Sequence, residues 1–109
     1  MQPKFENYES GHGAELLCPR CGNNYMHHDR VEVFERSEDA QNGLHFSVSG
    51  SKATVDTSLD GNPSMRRDGI SITFWCEGCH GISSLSFAQH KGVTLVDLVD
   101  TGEKMVFDA

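Results

Sequence analysis

Four cysteines are the residues of this 109-residue chain best equipped for chemistry, and they come as two pairs. Leu17-Cys18-Pro19-Arg20-Cys21-Gly22 holds one CxxC, and Phe74-Trp75-Cys76-Glu77-Gly78-Cys79-His80 holds the other. Between Cys21 and Cys76 lie 54 residues. A CxxC folds readily as a tight knuckle: the two-residue spacer brings both sulfurs to one ion, and backbone N–H groups donate to the thiolates. Gly22, just after one turn, and Gly78, inside the other, are placed to take a positive φ without strain. Two knuckles supply four thiolates, a set that suits one tetrahedral zinc ion. Such a site is closed. With no position left for water, its metal would lock the strands around residue 18 to those around residue 76 rather than hydrolyse a substrate.

Three other chemistries use the same residues. Trp75-Cys76-Glu77-Gly78-Cys79 is similar to the WCxxC of thioredoxin-like proteins. That redox chemistry needs a helix N-terminus to lower the pKa of the first thiol. Here Gly81-Ile82-Ser83-Ser84-Leu85-Ser86 follows, which reads as loop and strand, and no βαβ pattern surrounds it. Cys76-Glu77-Gly78-Cys79-His80 has the spacing of a c-type haem attachment site. Haem attachment calls for export, the polar opening MQPKFENYESGHG shows no export signal, and CPRCG would be left unused. A rubredoxin-like iron centre would take the same four thiolates as zinc. Zinc accounts for all four cysteines with the fewest further demands, and it leaves His80 beside the site rather than in it.

CPRCG, with Pro inside and Gly after, resembles the knuckle of the zinc-ribbon superfamily, and the strand–knuckle–strand order over residues 70 to 88 matches that fold. The motif covers about ten residues, and its strand context about half the chain. The segment between the knuckles is longer than in a minimal ribbon and reads as a β insertion. More loosely, the chain resembles small bacterial and bacteriophage proteins with CPxCG near the start and CExC ahead of a Gln89-His90-Lys91-Gly92 turn. The resemblance implies one structural Zn²⁺ held by Cys18, Cys21, Cys76 and Cys79. It carries over no catalytic residue.

The elements that must position these cysteines are short alternating runs. Leu44, Phe46 and Val48 share a face, Ser49-Gly50-Ser51 turns, and Ala53 and Val55 continue, so 44 to 57 reads as a hairpin. Ile70, Ile72 and Phe74 alternate with polar neighbours, as do Leu85 and Phe87. His90-Lys91-Gly92 turns into a β-rich run over 93 to 99, and 31 to 34 is a further strand. The expected fold is mostly β: a small zinc-ribbon-like antiparallel domain of six strands, with a β-hairpin insertion between the knuckles and little or no helix. Residues 1–15 read as a flexible polar lead-in and 16–109 as one domain. Ser37 to Gly43 and Ser58 to Gly69 read as exposed loops. Leu, Ile, Val and Phe number 24, so the core must be thin. A metal staple then matters to stability.

The remaining residues bear on partners. Net charge is −7, which disfavours non-specific binding to nucleic acid. Arg20, Arg66, Arg67, His90 and Lys91 are nonetheless candidates for one basic patch. Asp29, Glu32, Glu35, Glu38 and Asp39 make an acidic stretch that suits a basic partner. His27-His28 should point to opposite faces of a strand, so the pair is a poor metal site. Trp75 is expected to shield the Cys76 sulfur, and Met105-Val106-Phe107 to add a strand or cover a sheet edge. No nucleophile–base set, GxSxG or phosphate loop is present. These features point to a non-catalytic protein-binding module in the reducing cytoplasm, with a nucleic-acid-binding ribbon as the alternative and no membrane association.

Overall fold

Runs of β-branched and aromatic residues with a two-residue period bury their apolar face only by pairing edge to edge. In the computed structural model, which describes residues 1–106, they do so. The strands are β1 (Phe5–Glu6), β2 (Glu15–Leu16), β3 (Met26–Glu35), β4 (Leu44–Ser49), β5 (Lys52–Asp56), β6 (Gly69–Cys76), β7 (Gly81–His90) and β8 (Val93–Lys104). A 3₁₀ turn, Tyr8–Ser10, lies between the first two. β1 and β2 form a small ribbon, and the other six strands form one sheet in the order β5-β4-β3-β6-β7-β8. Every pairing is antiparallel. The mostly-β antiparallel expectation is met, and the described residues contain no α-helix. The hairpin β4–β5 falls between the two cysteine pairs, as the sequence implies.

Turn chemistry fixes the register. β4 and β5 are joined at Gly50-Ser51, and β7 and β8 at Lys91-Gly92, with positive φ at all four positions. Two-residue turns of that hand follow the natural twist of a hairpin. The register then gathers apolar residues from all six strands on one face, while Val93, Leu95 and Val99 of β8 fall on the other. Val55, Phe46, Val33, Ile70, Phe87 and Val96 stand opposite one another in a row that crosses the whole sheet. Ala53, Val48, Val31, Ile72, Leu85 and Leu98 form the next row.

The other face is largely polar, and one stretch of it is covered. Phe34 points there and is fully buried, under the connection between β5 and β6. Gly61 approaches its ring, and Asn62 and Pro63 lie on Gly69, the cross-strand partner of Phe34. Ser64 is buried, donates to the Gln89 carbonyl (2.9 Å) and accepts from the Arg67 N–H (3.0 Å). The expectation of an exposed loop over Ser58 to Gly69 therefore holds for Ser58, Asp60, Gly61 and residues 65–68, but not for Ser64 and Gly69, which are buried. Phe34 is out of phase with the apolar face and needs a cover, which this connection supplies.

On the same polar face His45 lies flat on Phe34, with ring centroids 4.4 Å apart and planes within 1° of parallel. Its Nδ1 is 2.9 Å from Asp56 Oδ1 and its Nε2 is 3.1 Å from Glu32 Oε1. Burial pulls the imidazole pKa down, but the two carboxylates more than offset it and raise the pKa above the usual value.

The lead-in segment carries β1 and the 3₁₀ turn, and it is tied to the sheet where the Leu98 N–H donates to the Met1 carbonyl (2.9 Å). At the other end the Met105 N–H donates to the His80 carbonyl (2.7 Å), while Phe107 lies outside the described residues.

Two outcomes follow from this packing. A Cβ at Gly69 would stand 2.8 Å from the Pro63 ring, so Gly69→Ala is expected to cost about 1–3 kcal/mol in urea unfolding. A raised imidazole pKa contributes stability that is complete below the unfolded value and lost as pH climbs through the folded one. Wild type should therefore lose stability relative to His45→Gln as pH rises above 6.5. Parallel stability–pH curves for the two proteins would refute the assignment.

Candidate metal centre

The first knuckle follows directly on β2. The Cys18 N–H donates to the Asn23 carbonyl (2.8 Å) and the Gly22 N–H to the Cys18 carbonyl (2.9 Å). Gly22 takes φ +80°, as its position requires. The second knuckle closes the β6–β7 hairpin, where the His80 N–H donates to the Cys76 carbonyl (2.9 Å). The two turns are built alike, and His80 occupies the position that Gly22 holds in the first. His80, at φ +61°, therefore takes the left-handed conformation that was expected of Gly78. Gly78 answers a different need. A Cβ there would lie 2.9 Å from Asn23 Nδ2, so the glycine lets the first knuckle rest against the second.

Backbone donors face the sulfurs. The Arg20 N–H points at Cys18 Sγ (3.4 Å) and the Gly81 N–H at Cys79 Sγ (3.3 Å). Cys18 Sγ is 3.7 Å from Cys79 Sγ, and Cys21 Sγ is 3.6 Å from Cys76 Sγ. All four sulfurs lie within 4.8 Å of one another, and none is in a disulfide. Metal–sulfur bonds of about 2.3 Å give a tetrahedron with edges of roughly 3.8 Å. The cluster thus has nearly the spacing that one tetrathiolate ion needs. Each knuckle contributes one buried sulfur, Cys18 or Cys76, and one more open, Cys21 or Cys79.

Charge is the difficulty of such a cluster. Burial pushes the Cys76 thiol up to about 12 and raises Cys79, while the Asn23 N–H lowers Cys21. Thiolates this close repel one another, and a divalent cation removes the penalty while releasing protons.

Arg20 locks the centre to the far strand. From inside the first knuckle its Nε reaches Asp100 Oδ2 (2.9 Å), and its Nη2 reaches Asp100 Oδ1 (2.6 Å) and the Glu103 carbonyl (3.0 Å). Arg20 and the Gly102 N–H hold the Asp100 carboxyl down at about 2. Gly81 makes room, since a Cβ there would stand 2.9 Å from Arg20 Cζ. Spacing alone did not reveal Asn23, Gly81 or Asp100. The signal for Asp100 is the Asp100-Thr101-Gly102 bulge within β8, whose Gly102 N–H donates to Asp100 Oδ1 (2.9 Å).

The five basic candidates do not form one patch. Arg20 belongs to the metal centre. Arg66, Arg67, His90 and Lys91 meet at the opposite end of the strands, around a hollow of about 30 Å³ that also holds Glu38. Arg66 pairs with Asp39 (2.6 Å) and Glu38 (3.0 Å), and Arg67 with Glu38 (2.9 Å). His27 and His28 occupy opposite faces, across from Trp75 and Phe74 respectively. Trp75 stacks on His27 at 4.4 Å, on the face of β6 away from Cys76, so its ring backs the strand instead of covering the sulfurs.

No family model, curated protein or solved structure matches the chain.

Cys18→Ser and Cys76→Ser are expected to abolish stoichiometric metal binding in native mass spectra and to release amide protection at both knuckles in hydrogen exchange. Asp100→Asn should keep the metal but weaken its affinity roughly 10–100-fold, read as faster loss to a chelator. Metal retention unchanged in Asp100→Asn would show that the Arg20 anchor is dispensable.

Proposed function

We propose that this chain is a zinc-stabilised, non-catalytic binding protein built on a ribbon-like pair of knuckles, and that its partner is another protein. The cluster of four sulfurs carries the reading. Its four ligands all come from the chain, two of them are buried, and the set satisfies a tetrahedral ion with no position to spare. Zinc matches such a closed thiolate set, and the second knuckle joins β6 to β7, the strand–knuckle–strand order of the ribbon resemblance.

Non-catalytic use is supported by where the reactive groups sit. Cys76 lies at a strand end with its thiol pushed up, the opposite of what a redox nucleophile needs. His45 has both ring nitrogens engaged by carboxylates, which leaves none to serve a substrate. A reducing compartment such as the cytoplasm would keep four thiolates available to metal. No helix of the described residues is long and apolar enough to cross a membrane. A nucleic-acid reading draws on Arg66, Arg67, His90 and Lys91 standing together, but two of those cations are already paired and net charge is −7.

Metal analysis of protein purified without added metal tests this. One zinc per chain with four thiols unreactive to titration is the expected result. Iron with visible colour would move the site to the rubredoxin class. Metal-free protein with titratable Cys76 and Cys79 would overturn the reading. A salt-sensitive mobility shift of an oligonucleotide would replace the protein partner with nucleic acid.

A further inference from the structure

The apolar face carries a feature that the metal centre does not use. Val55, Phe46, Val33, Ile70, Phe87 and Val96 cross the whole sheet with no polar residue among them. Val55 is 63% exposed, Val96 44%, Ile70 37% and Phe46 36%. The first knuckle covers this face only near Leu98, with which Leu17, Cys18 and Pro19 line a cavity. The connection over Phe34 lies on the other side. A sheet that is apolar on one face is stable when a second layer covers it, and here no element of the described residues covers this row. The accessible surface shows the same deficit. It is 7332 Å², whereas a compact monomer of 12.0 kDa exposes about 6,000 Å². The radius of gyration is 15.1 Å against about 13 Å for a compact chain of this length.

We propose that the missing layer is a second copy of this chain, packed sheet to sheet across this face. Area is the first reason. Six strands about 4.8 Å apart, each paired over about five residues, present roughly 500 Å² in projection. The two copies together cover on the order of 1,000 Å², the least that a specific interface needs.

Self-complementarity is the second reason. The row reads Val-Phe-Val-Ile-Phe-Val, with its two rings placed symmetrically about the β3–β6 centre. A two-fold related copy therefore offers the same sequence of bulky and β-branched side chains in return, and its identical twist suits aligned packing. Because the first knuckle rises from this face at one end of the strands, the two-fold axis runs across the strands, so each side chain of the row faces its own counterpart and the knuckles lie at opposite ends.

Charge is the third. The chain carries −7, yet none of it falls in the two apolar rows. Repulsion between copies is left to the rim, where Glu35 lies beyond Val33, whereas a basic partner would find no acidic group within the two rows. This inference goes beyond the binding reading above and does not depend on which ion fills the cluster.

Sedimentation equilibrium of the full metal-loaded chain, from low to several hundred micromolar, tests it. The expected mass is twice 12.0 kDa. Phe46→Lys and Val96→Lys should each weaken the dimer at least roughly a hundredfold while keeping metal content and far-ultraviolet dichroism. Thr54→Lys, exposed on the opposite face, should leave the mass unchanged. If Phe46→Lys fails to fold, Val55→Lys at the sheet edge takes its place. A metal-loaded wild type that stays monomeric at every concentration overturns the proposal and leaves the face to a different partner. A dimer untouched by both row substitutions overturns the assignment of the face. A dimer without metal would count against the zinc reading and leave this one standing.

Discussion

Four sulfurs held within 4.8 Å of one another set the terms for one end of this molecule. As thiolates they repel, and as buried thiols they leave polarisable groups with little to bond. A tetrahedral cation resolves both problems, and the structure around them is arranged to accept one. The two turns share a hydrogen-bond pattern, direct N–H groups at sulfur and differ in how they meet the need for a left-handed residue. One uses Gly22, the other His80. Around them stand close approaches that only glycine permits: Gly78 under Asn23, and Gly81 under the Arg20 guanidinium. Through Arg20 and Asp100 the cluster reaches β8, so three separate parts of the chain converge on it.

The sheet imposes a second constraint. Six strands in a single layer have two faces, and 24 Leu, Ile, Val and Phe residues are too few to bury both. The chain divides the task unevenly. Its polar face is served by the connection between β5 and β6, which covers Phe34 and is pinned by Ser64. The end of the apolar face is served by the first knuckle, over Leu98. The rest of that face keeps half-exposed apolar side chains, which is the physical reason the molecule is flatter than its length requires.

The polar face also shows how a charged group is accommodated in so thin a fold. His45 is held between Asp56 and Glu32 and stacked on Phe34, with all four residues drawn from three adjacent strands. Satisfying both ring nitrogens is what makes its burial tolerable. The same geometry gives both ring nitrogens carboxylate partners within the sheet. At the far end of the strands Arg66 and Arg67 are likewise committed, to Glu38 and Asp39, and they tie two loops together.

The sequence by itself determined what depends on neighbours along the chain. The two-residue period marked Leu44-Phe46-Val48, Ile70-Ile72-Phe74 and Leu85-Phe87 as strands with a common inner side, because alternation is a local property of the pleat. Glycine at Gly50 and Gly92 marked the tight turns, and CxxC spacing marked the four cysteines that cluster, because two residues are what a knuckle needs. Tertiary structure decided what depends on residues far apart in sequence. The partner of Arg20 lies 80 residues away at Asp100. Phe34 is buried because a distant loop folds over it, and Gly78 is required because Asn23 of the first knuckle rests on it. The basic residues separate into an anchor and an ion-pair cluster because the pairing of strands distant in sequence, which no local pattern encodes, puts Arg20 at one end of the strands and Arg66, Arg67, His90 and Lys91 at the other.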